Sequence, residues 1–386
     1  MLRNTTVTIL ALGAIASAQE ADVTTKAPTG PVRYTIEITA KGTTENSMRR
    51  DGEDVGRGNA GPRETDSTAK FVFDEQVEDG AHWRTYVDAT ASMLMPSRDG
   101  DAQTREMKSD LVGKRLYLVE DDRGMVVLEG GPDGEEMRGL GRQLSMDVFL
   151  ADLTPAGSKE VGATFALPAS FFQALAKVSH PIVPARPEGA DDAGDEGGQA
   201  GGRGGRGGRG GRGAGGQGGF PGRGAGRMFA PQVANAELDL LANEKLEGKV
   251  EATLVSVENG VARIEFEGER SAEGNPVELG LMGGGMFGGR GGAAGRGGRG
   301  GQGGGQGGRN FPTPDGEGSA KVTYRGFLLV DTASHQLKEL SVEAQHELDT
   351  KIEMEMRETL IESSRKGSGT VKIHVTTAPA PTDGER

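Results

Sequence analysis

The stretch LSVEAQHELDTKIEMEMRETL, Leu340 to Leu360, decides the fold. Its even positions include Leu340, Val342, Ala344, Leu348, Ile352, Met354 and Met356, while nearly every odd position is polar or charged. That is the two-residue period of a strand buried on one face. Helix is the competing reading, because the segment is rich in Leu, Met, Glu, Lys and Arg and places Leu340, Ala344, Leu348, Ile352, Met356 and Leu360 at every fourth position. A helix, however, spreads Val342 and Met354 away from that stripe, whereas a strand gathers every apolar side chain on one side. We read strand, with Met354 inward and Glu353 toward water. The segment far exceeds the usual strand of roughly 5–6 residues, which predicts a bend or turn near Asp349-Thr350, or a strongly curved sheet.

The same period recurs upstream. Tyr34, Ile36 and Ile38 alternate with polar neighbours between Val32 and Ala40, and a polar, glycine-bearing loop is expected from Gly42 to Asp66. Ala69 to Val77 and Trp83 to Met93 flank Asp79-Gly80, a two-residue hairpin signal. Leu111 to Val119 and Met125 to Leu128 bracket a second turn. Leu246 to Val257 and Val261 to Phe266 surround Asn259-Gly260, a pair suited to a turn in which both central residues need positive φ. Helical spacing is confined to short pieces: Leu140 to Leu153, Pro168 to Val178 with its proline-first start, and Ala236 to Leu241. The expected class is α+β: a large curved antiparallel sheet of long hairpins with one or two short covering helices.

Two arginine-glycine tracts interrupt this pattern, Gly201 to Arg212 and Gly288 to Arg309. Their near absence of apolar side chains leaves nothing to offset the entropy of ordering a backbone, so both are read as disordered insertions. The first eighteen residues carry Arg3, an apolar run from Val7 to Ile15 and Ala16-Ser17-Ala18, the layout of a cleaved signal peptide. The expected organisation is therefore a signal peptide at 1–18, a disordered segment at 19–30 and a β-rich part with short helices at 31–184. An acidic, then Arg-Gly-rich linker at 185–232 follows, then a hairpin at 233–279, a Gly-Arg-rich insertion at 280–316, completing strands at 317–376 and a disordered tail at 377–386. The apolar run is too short to span a bilayer, and no later segment offers a span.

Zero cysteines exclude a disulfide framework and thiolate chemistry, and the net charge of −13 disfavours non-specific contact with nucleic acid. The five histidines, His82, His180, His335, His346 and His374, show no paired ligand spacing. His346-Glu347 begins a zinc-protease pattern, but Thr350 stands where its second histidine belongs. Asp99, Asp101, Gln103 and Asp110 have the offsets of a calcium loop, but Thr104 replaces the glycine of its sharp turn, so a solvated acidic turn is favoured. No cofactor or metal is expected. The lone Trp83 reads as a packed side chain before it reads as a ligand-stacking one.

The leader, the hairpin around Asn259-Gly260 and Gly326-Phe-Leu-Leu-Val-Asp331 leading into Leu337 to Leu348 together resemble uncharacterised exported bacterial β-rich proteins. These in turn are similar to the lipoprotein-localisation carriers, half-barrels closed by helices. The resemblance implies a concave apolar surface able to hold a lipid or acyl chain. The expected function is a non-enzymatic protein of the periplasm, cell envelope or exterior, binding an apolar or amphipathic ligand on the inner face of its sheet. Leu340, Val342, Ile352, Met354 and Met356 are the candidate contacts. The alternative is an envelope scaffold that touches anionic polymers through Arg203, Arg206, Arg209, Arg212, Arg296 and Arg299.

Overall fold

The computed structural model describes residues 19–26, 28, 30–55, 61–78, 81–96, 102–121, 124–137, 140, 152–183, 233–281, 314–356 and 359–381. The arginine-glycine tracts, the leader and the central part of the Leu140 to Leu153 segment lie outside the described residues, as do Asp99 and Asp101.

The N-terminal half contributes β1 (Glu20–Asp22), β2 (Val32–Arg50), β3 (Glu53–Asp54), β4 (Arg63–Glu78), β5 (Ala81–Pro96), β6 (Ala102–Lys108), β7 (Arg115–Asp121), β8 (Gly124–Glu129) and β9 (Glu135–Glu136). After them come β10 (Ser158–Glu160), β11 (Thr164–Ala166), α1 (Ala169–Ala176), α2 (Asn235–Leu241), β12 (Glu247–Glu258) and β13 (Val261–Gly274). The chain closes with β14 (Asp315–Asp331), β15 (Leu337–Met356) and β16 (Thr359–Pro379).

Among the described residues the protein is mostly β: one 14-stranded antiparallel sheet, a separate two-stranded pair of β1 and β10, and two short helices, which is a more sheet-dominated architecture than the α+β expectation. The sheet is open. Its order runs β11-β12-β13-β14-β15-β16-β2-β4-β5-β7-β8-β9, so the last strand lies beside the first long one, in unbroken register from Ile361↔Arg50 to Pro379↔Val32. Two meanders, each built from local hairpins, are thus joined by a seam between the two ends of the chain.

The seam does not interrupt the core. Leu328, Leu340, Val375, Ile36 and Phe71 are successive cross-strand partners from β14 to β4, and Gly326, Val342, Ile373, Ile38 and Ala69 form the next row. All eight side chains larger than alanine in these rows are buried, because the alternation of each strand directs them to one common face. A bulge between Val72 and Phe73 in the pairing with β5 shifts parity, so that Tyr86 and Ala89 both reach the core while Val87 stays exposed.

Three turn and strand readings are resolved in detail. Asn259 and Gly260 both hold positive φ, 51° and 77°, between the paired ends Glu258 and Val261, as a tight primed turn requires. No turn interrupts β15 at Asp349-Thr350: both residues pair with β14 on one side and β16 on the other, and the strand continues along β16 to Met356. Nor is Gly42 to Asp66 one loop. β2 continues to Arg50, finding ladder partners in β16, far away in sequence, and β4 begins at Arg63 by pairing back onto β2.

At both insertion points the described flanks meet. Ser179 Oγ donates to the Val233 carbonyl at 2.8 Å, and Asn275 Nδ2 donates to the Pro314 carbonyl at 3.0 Å. The chain therefore returns beside the place it left.

Candidate functional site

The two helices lie on the core face. Helix α1 begins after Pro168, whose missing N–H suits a helix start, and buries Phe171, Phe172, Ala174 and Leu175; α2 buries Leu238 and Leu241. Phe171 meets Phe266 of β13 edge-on at 5.2 Å between ring centres, and Phe172 meets Tyr324 of β14 at 5.2 Å. Such aromatic contacts contribute about 0.5–1.5 kcal/mol each beyond the area they bury.

Polar struts complete this attachment. The Tyr324 hydroxyl donates to the Leu241 carbonyl at 2.8 Å, which satisfies an orphan acceptor in the last turn of α2. Arg270 Nη2 donates to the carbonyls of Leu246, at 2.7 Å, and Asn243, at 3.1 Å, while its guanidinium lies 4.3 Å from the Phe172 ring centre. Burial pushes the Tyr324 phenol up to about 12, so it stays protonated and donating.

A second polar cluster sits on the same face at β4 and β5. Glu75 accepts from Arg84 Nε at 3.0 Å and Nη2 at 2.8 Å and pairs with His82 Nδ1 at 3.0 Å. Arg84 also hydrogen-bonds the Tyr86 oxygen, and Tyr86 lies 2.5 Å from His180 Nδ1. Burial, reinforced by the Arg84 charge, holds His180 well below its ordinary proton affinity, and burial raises Tyr86 to about 12. With imidazole neutral and phenol protonated, the order of donation is Arg84 to Tyr86 to His180. The ring of His180 packs against Phe71 and Phe73 at 5.2 and 4.8 Å, so this network ties the segment after α1 onto the sheet.

Of the residues singled out from sequence, Leu340 and Val342 lie within the main core, 0% and 2% exposed. Ile352 and Met354 are also buried but stand at the far end of β15, outside that cluster. Met356 pairs through its backbone with Thr359, and its side chain lies outside the described residues. Arg203, Arg206, Arg209, Arg212, Arg296 and Arg299 lie outside them too. Trp83 is not in the core: alternation places it opposite Arg84, half-buried against Tyr117, with the Arg115 guanidinium 4.0 Å from its ring.

The face opposite the core is polar. A groove of about 710 Å³ crosses it from β13 to β2, lined by Glu269, Glu273, Glu347 and Asp349 together with Lys321 and Lys366. Lys321–Glu269 at 2.7 Å and Lys366–Asp349 at 2.9 Å are solvent-facing pairs of the kind that contribute little to stability. Among the described residues no group of His, Asp or Glu is arranged to hold a metal ion, and no helix is long and apolar enough to cross a membrane.

No protein-family model matches the chain, and no curated protein matches its sequence. Solved structures that overlap it include the outer membrane protein OprG from Pseudomonas aeruginosa, at 6% identity and a TM-score of 0.19, covering 93% of this chain and 99% of that one. Another is OccK7 (OpdD) from the same organism, at 7% identity and a TM-score of 0.21, covering 91% and 99%. Superpositions this loose carry no argument about fold or role.

Proposed function

We propose that this chain is an exported, non-enzymatic envelope protein that takes an apolar or amphipathic molecule between the core face of its sheet and the two helices lying on it. The observation that carries this reading is the weakness of the cover as a free-standing structure. Helices α1 and α2 have eight and seven residues, neither has a side-chain cap at its N-terminus, and α2 is entered through Ala234 at a φ of 57°. Helices this short are marginal alone and hold their shape only through packing. The sheet beneath has long ladders, broken only by single bulges, and a continuous apolar surface. Local opening therefore begins at the cover, and a ligand that supplies apolar contact to the exposed face lowers the cost of that opening.

Each fully buried Phe or Leu of the cover contributes about 1.5–3 kcal/mol, a contribution that an acyl chain can replace methylene by methylene at about 0.8 kcal/mol each. The expected leader at 1–18 supports export. The test is native mass spectrometry of the protein isolated from its own cells without detergent, followed by titration with N-phenyl-1-naphthylamine. Co-purified apolar mass, or probe fluorescence that saturates at one site, is expected. A ligand-free protein that leaves the probe dark would overturn the reading.

A further inference from the structure

Among the described residues, four of the five buried Asp, Glu, Arg and His side chains on the sheet and its cover have their charge accounted for. Asp74 is paired with Arg33, Glu75 with Arg84, and His180 is neutral. Arg270 is the fifth. It is 8% exposed, and among the described residues it pairs with no carboxylate and its Nη1 is enclosed without any hydrogen-bond partner. Among the described residues the acceptors it reaches are the Leu246 and Asn243 carbonyls, both taken by Nη2, and the phenol oxygen of Tyr324, none of which carries charge. Its neighbours across the ladder are Gly248 and Val322, which bring no acceptor side chain.

A buried guanidinium met only by neutral carbonyls, a phenol and a ring face keeps an uncompensated charge in a low-dielectric interior, which is a costly arrangement. Arg270 as a simple strut for the end of α2 accounts for Nη2 and leaves Nη1 unexplained. We infer that Nη1 of Arg270 is the anchor for the carboxylate of a long-chain acid, whose apolar tail lies against the rings of Phe171, Phe172 and Phe266. This rests on the ligand reading given above and narrows it to a class.

The chemistry favours a monoanionic carboxylate. A guanidinium fork matches its planar geometry, and one negative charge cancels the single positive one, whereas a doubly ionised phosphate would leave a net negative charge buried in its place. Phe172 already lies over the guanidinium, and the Phe171–Phe266 contact continues the aromatic wall away from it. Charged head and apolar wall are thus adjacent on one face.

The test compares dodecanoate with dodecan-1-ol, equal in chain length and different in charge, by calorimetry on the full mature chain at a pH where the acid is ionised. Dodecanoate is expected to bind at least about tenfold tighter, the ratio that one charge-assisted hydrogen bond supplies. Arg270→Met should bring the two affinities together, and Arg270→Lys should restore part of the preference. Equal affinities in the unaltered protein, or a preference that survives Arg270→Met, would overturn the anchor while leaving an apolar site standing. If neither compound binds, the apolar site itself is wrong and the anchor falls with it. The comparison in the unaltered protein decides the matter even if the methionine variant does not fold.

Discussion

Met354 and Glu353 are neighbours on β15 with opposite surroundings. Met354 is 6% exposed, and Glu353 is half-buried on the other face with its carboxylate 2.7 Å from Lys351. Met354→Asp should cost about 2–4 kcal/mol, since it buries a carboxylate with no partner, whereas Glu353→Gln should change stability by less than about 0.5 kcal/mol. Chemical denaturation of both variants measures the difference, and equal effects would mean that this end of β15 is not buried as described. His180 supplies a pH dependence at the same scale. Because its folded proton affinity is depressed, the unfolded chain binds the extra proton first, so the contribution is complete above the ordinary value of 6.5 and is lost as pH falls below it. The loss should approach about 1.4 kcal/mol per pH unit. Arg84 faces the imidazolium as a like charge, the Tyr86 hydroxyl between them accepts from Arg84 and donates to the neutral imidazole, and Glu75 is bound to Arg84. Replacing His180 with Gln should flatten the stability profile between pH 6.5 and acid, and an unchanged slope would place the acid sensitivity elsewhere. Asn259-Gly260 was legible from sequence because few residue pairs accept two positive φ values. Arg270, Arg84 and Glu75 were legible in principle: each occupies the apolar parity of its strand, Arg84 next to Tyr86, Glu75 next to Phe73, and Arg270 two steps from Phe266 in the alternation. What sequence withheld was the identity of their partners, which come from elements far away in the chain.

Strands of this length are set by pairing rather than by composition. β16 has glycines at 367 and 369, and β2 has one at 42, so by propensity both should stop there; instead each continues for several residues. The column His346–Gly369–Gly42 explains two of these glycines, Gly369 and Gly42. A side chain at Gly369 would begin 2.8 Å from His346 Cε1 and 2.5 Å from the Lys41 carbonyl oxygen, so the imidazole occupies the space that its neighbour lacks. Strand propensity alone predicts that Gly369→Val stabilises a strand. The packing predicts the reverse, a loss of about 1–3 kcal/mol measured by thermal or denaturant unfolding, and a gain would show that the column relaxes freely. Short amphipathic helices were easier to foresee: Pro168 to Val178 and Ala236 to Leu241 match α1 and α2 to within two residues at each end. Their order of stability relative to the sheet was not legible, because it depends on ladders and caps rather than on hydrophobic spacing.

For the whole molecule, the seam between β16 and β2 means that neither meander completes the core without the other. The two arginine-glycine tracts are interposed at points where their described flanks already touch. Replacing 198–226 and 283–308 with short Gly-Ser linkers should therefore shift the unfolding midpoint by no more than a degree or two, since loop-closure cost grows only with the logarithm of length. Loss of cooperative unfolding in that protein would mean that the tracts pack against the sheet. The sheet, its core face and its polar opposite face followed from alternation once β15 was read as strand. Its breadth did not, because the joining of first and last strands leaves no local mark in either. The account's central claim is that the cover of α1 and α2 yields to an apolar molecule while the sheet stays paired. Amide hydrogen exchange with and without saturating dodecanoate tests it most directly. Protection should change in α1, α2 and the Asn243 to Leu246 turn and stay constant in β14, β15 and β16. Exchange that is identical in the cover with and without the acid would contradict the claim.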